Sequence, residues 1–349
     1  MPLATVMPPL LVRSCACLFL LVSFAPFAQA TDVWVGGAVE GGVTVGADGA
    51  GGVAIAPTIA QAEVDFRLGT DLIFVRVDLD AHVDPANLAG GLTAPVPPEW
   101  AMVQIGREKY HLRLGVTNPN IGLQQWEEWQ NYLPSYSLTW AAQPSQILGA
   151  EPGIDFDDGT SLFVYAGYDL AWGGLQLPVR GAQPGEGGSL FPSSGGLTAG
   201  LGFSRSADSY YASLDVSAYP LAGYDYYASF GCFELYPSDL LTLSLDGGGG
   251  VAAGSGFAGG QFQVALTPSD FISPAVRVEA LYDPDDFLGL PMATASIGGR
   301  ITPLEFATIS LEGKSSFYNG APAQLSGVLI VSVFRPEPDV YSAAYEAEE

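Results

Sequence analysis

Seven basic or titratable side chains crowd into one stretch of an otherwise acidic chain: Arg67, Arg76, His82, Arg107, Lys109, His111 and Arg113. Their spacing decides what they can do. In LIFVRVDLDAHVD (72–84), Arg76, Asp78, Asp80, His82 and Asp84 alternate with Val75, Val77, Leu79, Ala81 and Val83. A strand sends alternate side chains to opposite faces, so the charges share one face and the hydrocarbon takes the other. YHLRLGV (110–116) repeats the arrangement, with His111 and Arg113 set against Tyr110, Leu112, Leu114 and Val116. Fixed charges that face water orient polar solutes and set a charge preference through a ring of side chains. The plainer use of the same residues is to pair within the sheet and hold strands in register.

Acid to oppose this base stands in the connection 118–146, where QQWEEWQ carries Glu127 and Glu128. If that connection folds inward, acid faces base across an interior. The expected lining set is therefore Arg76, Asp78, Asp80, His82, His111, Arg113, Glu127 and Glu128. Trp126, Trp129 and Tyr132 in the same connection offer a surface for stacking sugars, or simply pin it against a wall.

Other chemistry finds little support. DFDDG (155–159) and DPDD (283–286) suggest calcium, but residue 159 is Gly, and residue 166 is Ala where an EF-hand loop starting at Asp155 needs its glutamate. Both read as turns, and no metal site is expected. The two histidines have no cysteine or metal-spaced partner. There is no G-x-S-x-G. GGGGVAAGSG (247–256) lacks the Lys-Ser/Thr of a phosphate loop and reads as a mobile hairpin tip. Neither an enzyme nor a cofactor is indicated.

The elements that position these residues are strands. AEVDFRL (62–68), YASLDVSAY (211–219), LLTLSLD (240–246), VRVEALY (276–282) and ATISLEGK (307–314) all alternate, and helical periodicity is scarce. Short turns fall at LGTD (68–71), GREK (106–109), DDGT (157–160), SADS (207–210), YPSD (236–239), TPSD (267–270) and TPLE (302–305). Longer connections rich in Gly, Pro and Asp lie near 46–52, 84–98, 118–146, 173–195, 219–223, 249–256, 283–291 and 316–323. Seven short turns and eight long connections join sixteen strands, from about Val33 to Phe334, with counts of 14 or 12 as the alternatives. Short connections at one end and long ones at the other mark an outer-membrane barrel.

The remainder of the composition agrees with export. Residues 1–30 have a positive start (Arg13), the apolar run CACLFLLVSFAPFA and a small-x-small site at Ala28-Gln29-Ala30, the pattern of a cleaved signal peptide. Eleven of the twelve Lys+Arg and all 37 Asp+Glu fall after it, a formal charge of −26. That excess excludes nucleic acid as an obvious partner. The only cysteine past the signal is Cys232, read as a small apolar packed residue. After residue 30 there is no apolar run of membrane-helix length, so only a soluble β protein or a closed barrel remains. Trp34, Trp100, Tyr110, Trp172, Tyr210, Tyr219, Phe271, Tyr282, Phe306 and Phe334 near strand ends are expected to form two aromatic girdles.

The run AMVQIGREKYHLRLGVTNPNIGLQQWEEWQNYLPSYSL (101–138), with Leu112-Arg113-Leu114-Gly115 and Pro119, resembles the OmpL-like family of bacterial β-barrel porins, and ILGAEPGIDFDDGTSLFVYAGYD (147–169) resembles that family's next hairpin. One departure is that Phe334 closes the last strand but RPEPDVYSAAYEAEE follows it. The resemblance implies a porin in the outer membrane, inserted by the barrel-assembly machinery, surrounded by lipid and passing small hydrophilic solutes and ions. The expectation is a signal peptide at 1–30, a barrel at 31–335 and an acidic periplasmic tail at 336–349. Cation preference follows from the net charge, and a homotrimer or a monomer both fit the small-residue outer face of LTAGLGF (197–203). A non-conducting structural or surface-binding barrel is the alternative.

Overall fold

The structure is a computed structural model that describes residues 32–47, 52–70, 72–82, 100–106, 109–117, 131–135, 137–138, 147–169, 197–218, 226–252, 254–284, 291–318 and 323–335. Residues 1–31, most of the longer connections and residues 336–349 lie outside these residues.

Sixteen strands follow one another along the chain. The first half comprises β1 (Asp32–Ala47), β2 (Val53–Gly69), β3 (Ile73–His82), β4 (Trp100–Ile105), β5 (Tyr110–Thr117), β6 (Ile147–Asp155), β7 (Thr160–Asp169) and β8 (Leu197–Ala207). The second half comprises β9 (Tyr210–Ala218), β10 (Tyr226–Ser238), β11 (Leu241–Ala252), β12 (Ser255–Leu266), β13 (Ile272–Tyr282), β14 (Ala293–Leu304), β15 (Ala307–Phe317) and β16 (Gln324–Phe334). Each pairs antiparallel with its sequence neighbours, and β1 pairs with β16 from Ala38↔Phe334 to Ala47↔Leu325, which closes the ring. Closure leaves no open sheet edge, so the ladder groups find partners within the protein, which is what a bilayer interior demands of a sheet.

The seven short turns stand where the residues predict them. In two of them the backbone needs glycine: Gly106 has φ +82° and Gly159 has φ +76°, and a Cβ on either would meet a carbonyl oxygen at 2.2 Å. The Gly-rich hairpin differs from expectation. Rather than a mobile tip, Gly247–Gly250 belong to β11 and pair with Gly260, Gly259, Ala258 and Phe257 of β12, down to Ala252↔Ser255. Glycine was needed there for space, because a Cβ at Gly248 would come within 2.5 Å of the Phe230 ring.

Burial follows the period of two and is inverted relative to a soluble core. Outward-facing Leu245 and Ile297 are 57% and 67% exposed, whereas inward-facing Ser244 and Ser296 are buried. Glu40, Glu63, Asp65, Glu151, Asp246 and Glu279 also lie buried on the inner face. Most of the exposed apolar surface therefore belongs outside, and the interior is largely polar, with Phe230, Val328 and Ile330 among the apolar side chains buried there.

Three expectations need correction. Trp34 and Trp100 are not girdle residues, because register places them on the polar inner face opposite Arg67 and Asp78. There they lie beneath the guanidinium groups of Arg67 (4.9 Å to the ring centroid) and Arg76 (4.6 Å), where the ring faces attract the cations. Tyr110, Phe271, Tyr282 and Phe306 are exposed near strand ends, as a girdle requires; Trp172 and Tyr219 lie outside the described residues. Cys232 is buried, but on the inner face with its Sγ 2.9 Å from Ser213 Oγ, a polar rather than an apolar setting. Lys109 is exposed beside the turn, its ammonium 5.6 Å from the Phe156 ring centroid, so it does not join the inner wall.

Candidate functional site: the interior of the barrel

Strands β2 to β6 bring Arg67, Arg76, Asp78, His111 and Arg113 of the sequence-selected charges to one inner wall. Asp65 lies directly opposite Asp78, and Arg67 opposite Arg76. The Arg76 guanidinium grips Asp78 at 2.5 Å. Arg113 donates to Glu151 at 2.6 Å and to Gln104 Oε1 at 2.9 Å. His111 Nδ1 lies 2.9 Å from Asp155, whose other oxygen accepts from the Ser161 hydroxyl at 2.6 Å. Register puts the backbone of Asp80 opposite Glu63 and that of His82 opposite Gln61. Glu127, Glu128, Trp126, Trp129 and Arg107 lie outside the described residues.

This wall is therefore a mesh of acid–base pairs rather than a basic patch. A buried charge has to be paired or hydrogen-bonded, and here adjacent strands supply the partner. Glu63, Asp65 and Asp78 also bring carboxylate oxygens within 4.8 Å of one another. Arg76 already supplies positive charge to that group through Asp78.

A second part of the interior was not selected from the residues. The connection between β5 and β6 sends residues 131–135, 137 and 138 to the inner face of β11 to β15, half-way round the ring from where it starts. The Ser135 amide donates to Glu312 Oε2 at 2.9 Å, and its hydroxyl donates to Glu312 Oε1 at 2.6 Å. Arg277 Nη2 donates to the same Ser135 hydroxyl at 2.6 Å. The Leu138 amide donates to Glu279 Oε1 at 2.8 Å, and Thr294 donates to that carboxylate's other oxygen. Arg277 lies 3.4 Å from Glu279 and 3.5 Å from Glu312, holding two acids that both grip the crossing segment.

Apolar and aromatic contacts complete the docking. Leu133 packs with Ala265 and Ala275, and Tyr132 packs against this cluster. The Tyr132 hydroxyl lies 3.2 Å from Thr242 Oγ1, with Arg300 5.9 Å from its ring centroid. Of the two readings of Tyr132, these contacts match the pinning one. The signal for this wall was present in the sequence: VRVEALY and ATISLEGK place Arg277, Glu279 and Glu312 on polar strand faces. Nothing local told which wall the connection would reach.

No protein-family model matches this chain, and no curated protein matches it. Solved structures do. Two variants of the Rhodopseudomonas blastica porin superpose with a TM-score of 0.57 at 12% identity, covering 87% of this chain and 100% of theirs. A structure described for the asymmetric conductivity of engineered proteins superposes with a TM-score of 0.56 over the same shares, also at 12% identity. The chain thus has the closed sixteen-strand barrel architecture of porin structures, a likeness of fold and not of any one family's sequence.

Proposed function

We propose that this chain is an outer-membrane porin, a passive path for small hydrophilic solutes and ions with a preference for cations. The observation that carries the reading is the inversion of polarity around a closed sixteen-strand ring: hydrocarbon outside, carboxylates and hydroxyls inside. A barrel of this strand number encloses an aqueous lumen. The connection 118–146 narrows it, through the segment whose Ser135 and Leu138 are tied to Glu312 and Glu279. Arg76, Asp78, Asp80, His82, His111 and Arg113 line the wall on the near side, and Glu127 and Glu128 belong to the same narrowing connection. The cation preference rests on the excess of acid over base in the sequence. In this reading residues 1–30 direct export, the assembly machinery inserts the barrel, and the tail 336–349 lies in the periplasm. The OmpL-like resemblance of residues 62–170 agrees with it, and a homotrimer or a monomer both fit its outer face.

One observation favours a second reading. Many inner side chains, among them Glu151, Ser135 and Arg277, are fully buried, as they would be in a plugged barrel that serves as a structural or surface-binding element. Liposome swelling with neutral sugars of increasing size separates the two. Uptake that falls with solute size supports the pore; swelling no faster than that of protein-free liposomes, from a correctly inserted barrel, favours the plug.

A further inference from the structure

Basic residues are spread unevenly around the inner wall. Between Arg205 and Arg277 the sequence has no Lys, Arg or His, so strands β9 to β12 are free of base from end to end. The two flanking cations are occupied elsewhere: Arg205 lies 3.4 Å from Asp158 beside a short turn, and Arg277 holds Glu279 and Glu312. Acid is not absent from these strands. Asp215 on β9, Glu234 on β10 and Asp246 on β11 share the inner face with Ser213, Ser217, Ser244 and Gln261.

Asp215 differs from the acids of the other walls. Asp78 and Glu151 have arginine at 2.5–2.6 Å, whereas among the described residues Asp215 has only a long contact from the Tyr165 hydroxyl, at 3.4 Å. It is 1% exposed, and its Oδ2 has no hydrogen-bond partner among the described residues. Two residues on, along the same face, the equally buried Ser217 Oγ also has none. A buried carboxylate without a partner is costly, and a proton or another positive charge relieves it.

We propose that this base-free arc is the cation-selective element of the lumen, acting through Asp215 and Ser217 on β9 with Tyr165 of β7 beside them. The inference rests on the pore reading above and places its charge preference in β9 to β12 rather than in the wall of β2 to β6. The ligand is a monovalent cation of the alkali or ammonium type. One carboxylate and two hydroxyls attract such an ion but do not trap it, and an ion must be able to leave a conducting site.

Reversal potentials across a KCl gradient in planar bilayers test the assignment. Asp215→Asn is expected to lower the cation-to-anion permeability ratio about three- to tenfold, because one nearby unit charge acts on both ions with opposite sign. Asp239→Asn removes the same charge from a short turn and is expected to leave the ratio unchanged. Should Asp215→Asn fail to insert, Asp246→Asn on the same arc must lower the ratio instead. An unchanged ratio in the inserted arc variant overturns this inference and leaves the pore standing. A wild-type barrel that inserts but never conducts overturns the pore reading and the inference with it.

Discussion

Glu312 is the side chain on which the crossing segment depends most. It accepts two hydrogen bonds from Ser135, at 2.9 and 2.6 Å, and lies 3.5 Å from Arg277. Glu312→Gln keeps the shape but removes the charge, and it replaces one acceptor oxygen with an NH2 that faces either the Ser135 amide N–H or a hydroxyl already accepting from Arg277 Nη2. A hydrogen bond to a charged group contributes about 1.5–3 kcal/mol, so losing one of the two and weakening the other costs the docked state about 2–3 kcal/mol. At about 1.4 kcal/mol per tenfold, the undocked population of the segment rises roughly thirty- to a hundredfold. Single-channel recording reads this directly, as larger or noisier openings with more frequent transitions between levels. Asp239→Asn serves as the control, since Asp239 lies in the short turn between β10 and β11 and away from the segment. If Glu312→Gln conducts with the amplitude, noise and voltage dependence of the unaltered chain, the segment is not held by this carboxylate and the reasoning fails.

Three more outcomes follow from the geometry. Arg113→Gln leaves Glu151 buried without its 2.6 Å partner, and breaking such a pair costs about 3–5 kcal/mol; a urea titration of the refolded barrel should show the loss, and an unchanged midpoint would show that the pair is solvated. Ile297→Lys puts a charge on the outward face, where the penalty reaches about 2–4 kcal/mol at mid-bilayer depth. Equal folding of the two chains into lipid vesicles would contradict the outward assignment. In the β6–β7 turn, the hydrogen bond from Thr160 holds the exposed Asp158 carboxyl below its ordinary pKa, with Arg205 adding to the effect. A depressed folded-state pKa contributes stability above the unfolded value that is lost as pH falls through the folded one. Amide exchange at Thr160, with intrinsic exchange rates corrected for pH, should therefore lose protection only at the acid end, and protection that stays constant through that range would remove Asp158 from the turn's support.

Strand positions and turn positions were legible because both are local. Alternation from Val75 to Val83, or from Ala212 to Ala218, needs only neighbours in sequence to be recognised, and a turn such as DDGT announces itself within four residues. The Arg76–Asp78 contact was within reach for the same reason, since two residues on one strand face are adjacent. Parity would also have placed Trp34 correctly, because Trp34, Gly36, Ala38 and Glu40 fall on one face and Glu40 belongs inside. The position of these aromatics near strand ends drew attention away from that parity. The GGGG stretch was misread because absence of side chains suggests flexibility, whereas its cross-strand glycines and the Phe230 ring make it a close-packed ladder.

The interior was less legible because its partners are remote. Arg113 and Glu151 sit 38 residues apart, and Ser135 and Glu312 sit 177 apart. A cluster of bases in β2 to β5 looked like the working surface, but neighbouring strands supply acids that neutralise it. The wall that receives the crossing segment carries the same alternating pattern as every other strand, so nothing in its own residues distinguishes it until the ring is closed.

The central claim is that this inverted, closed ring encloses a conducting path. Planar-bilayer recording of residues 31–349, refolded and inserted, in a salt gradient tests it most directly. The account predicts stepwise openings with a reversal potential on the cation side. A barrel that shows the heat-modifiable mobility of a folded outer-membrane protein yet never conducts would contradict it.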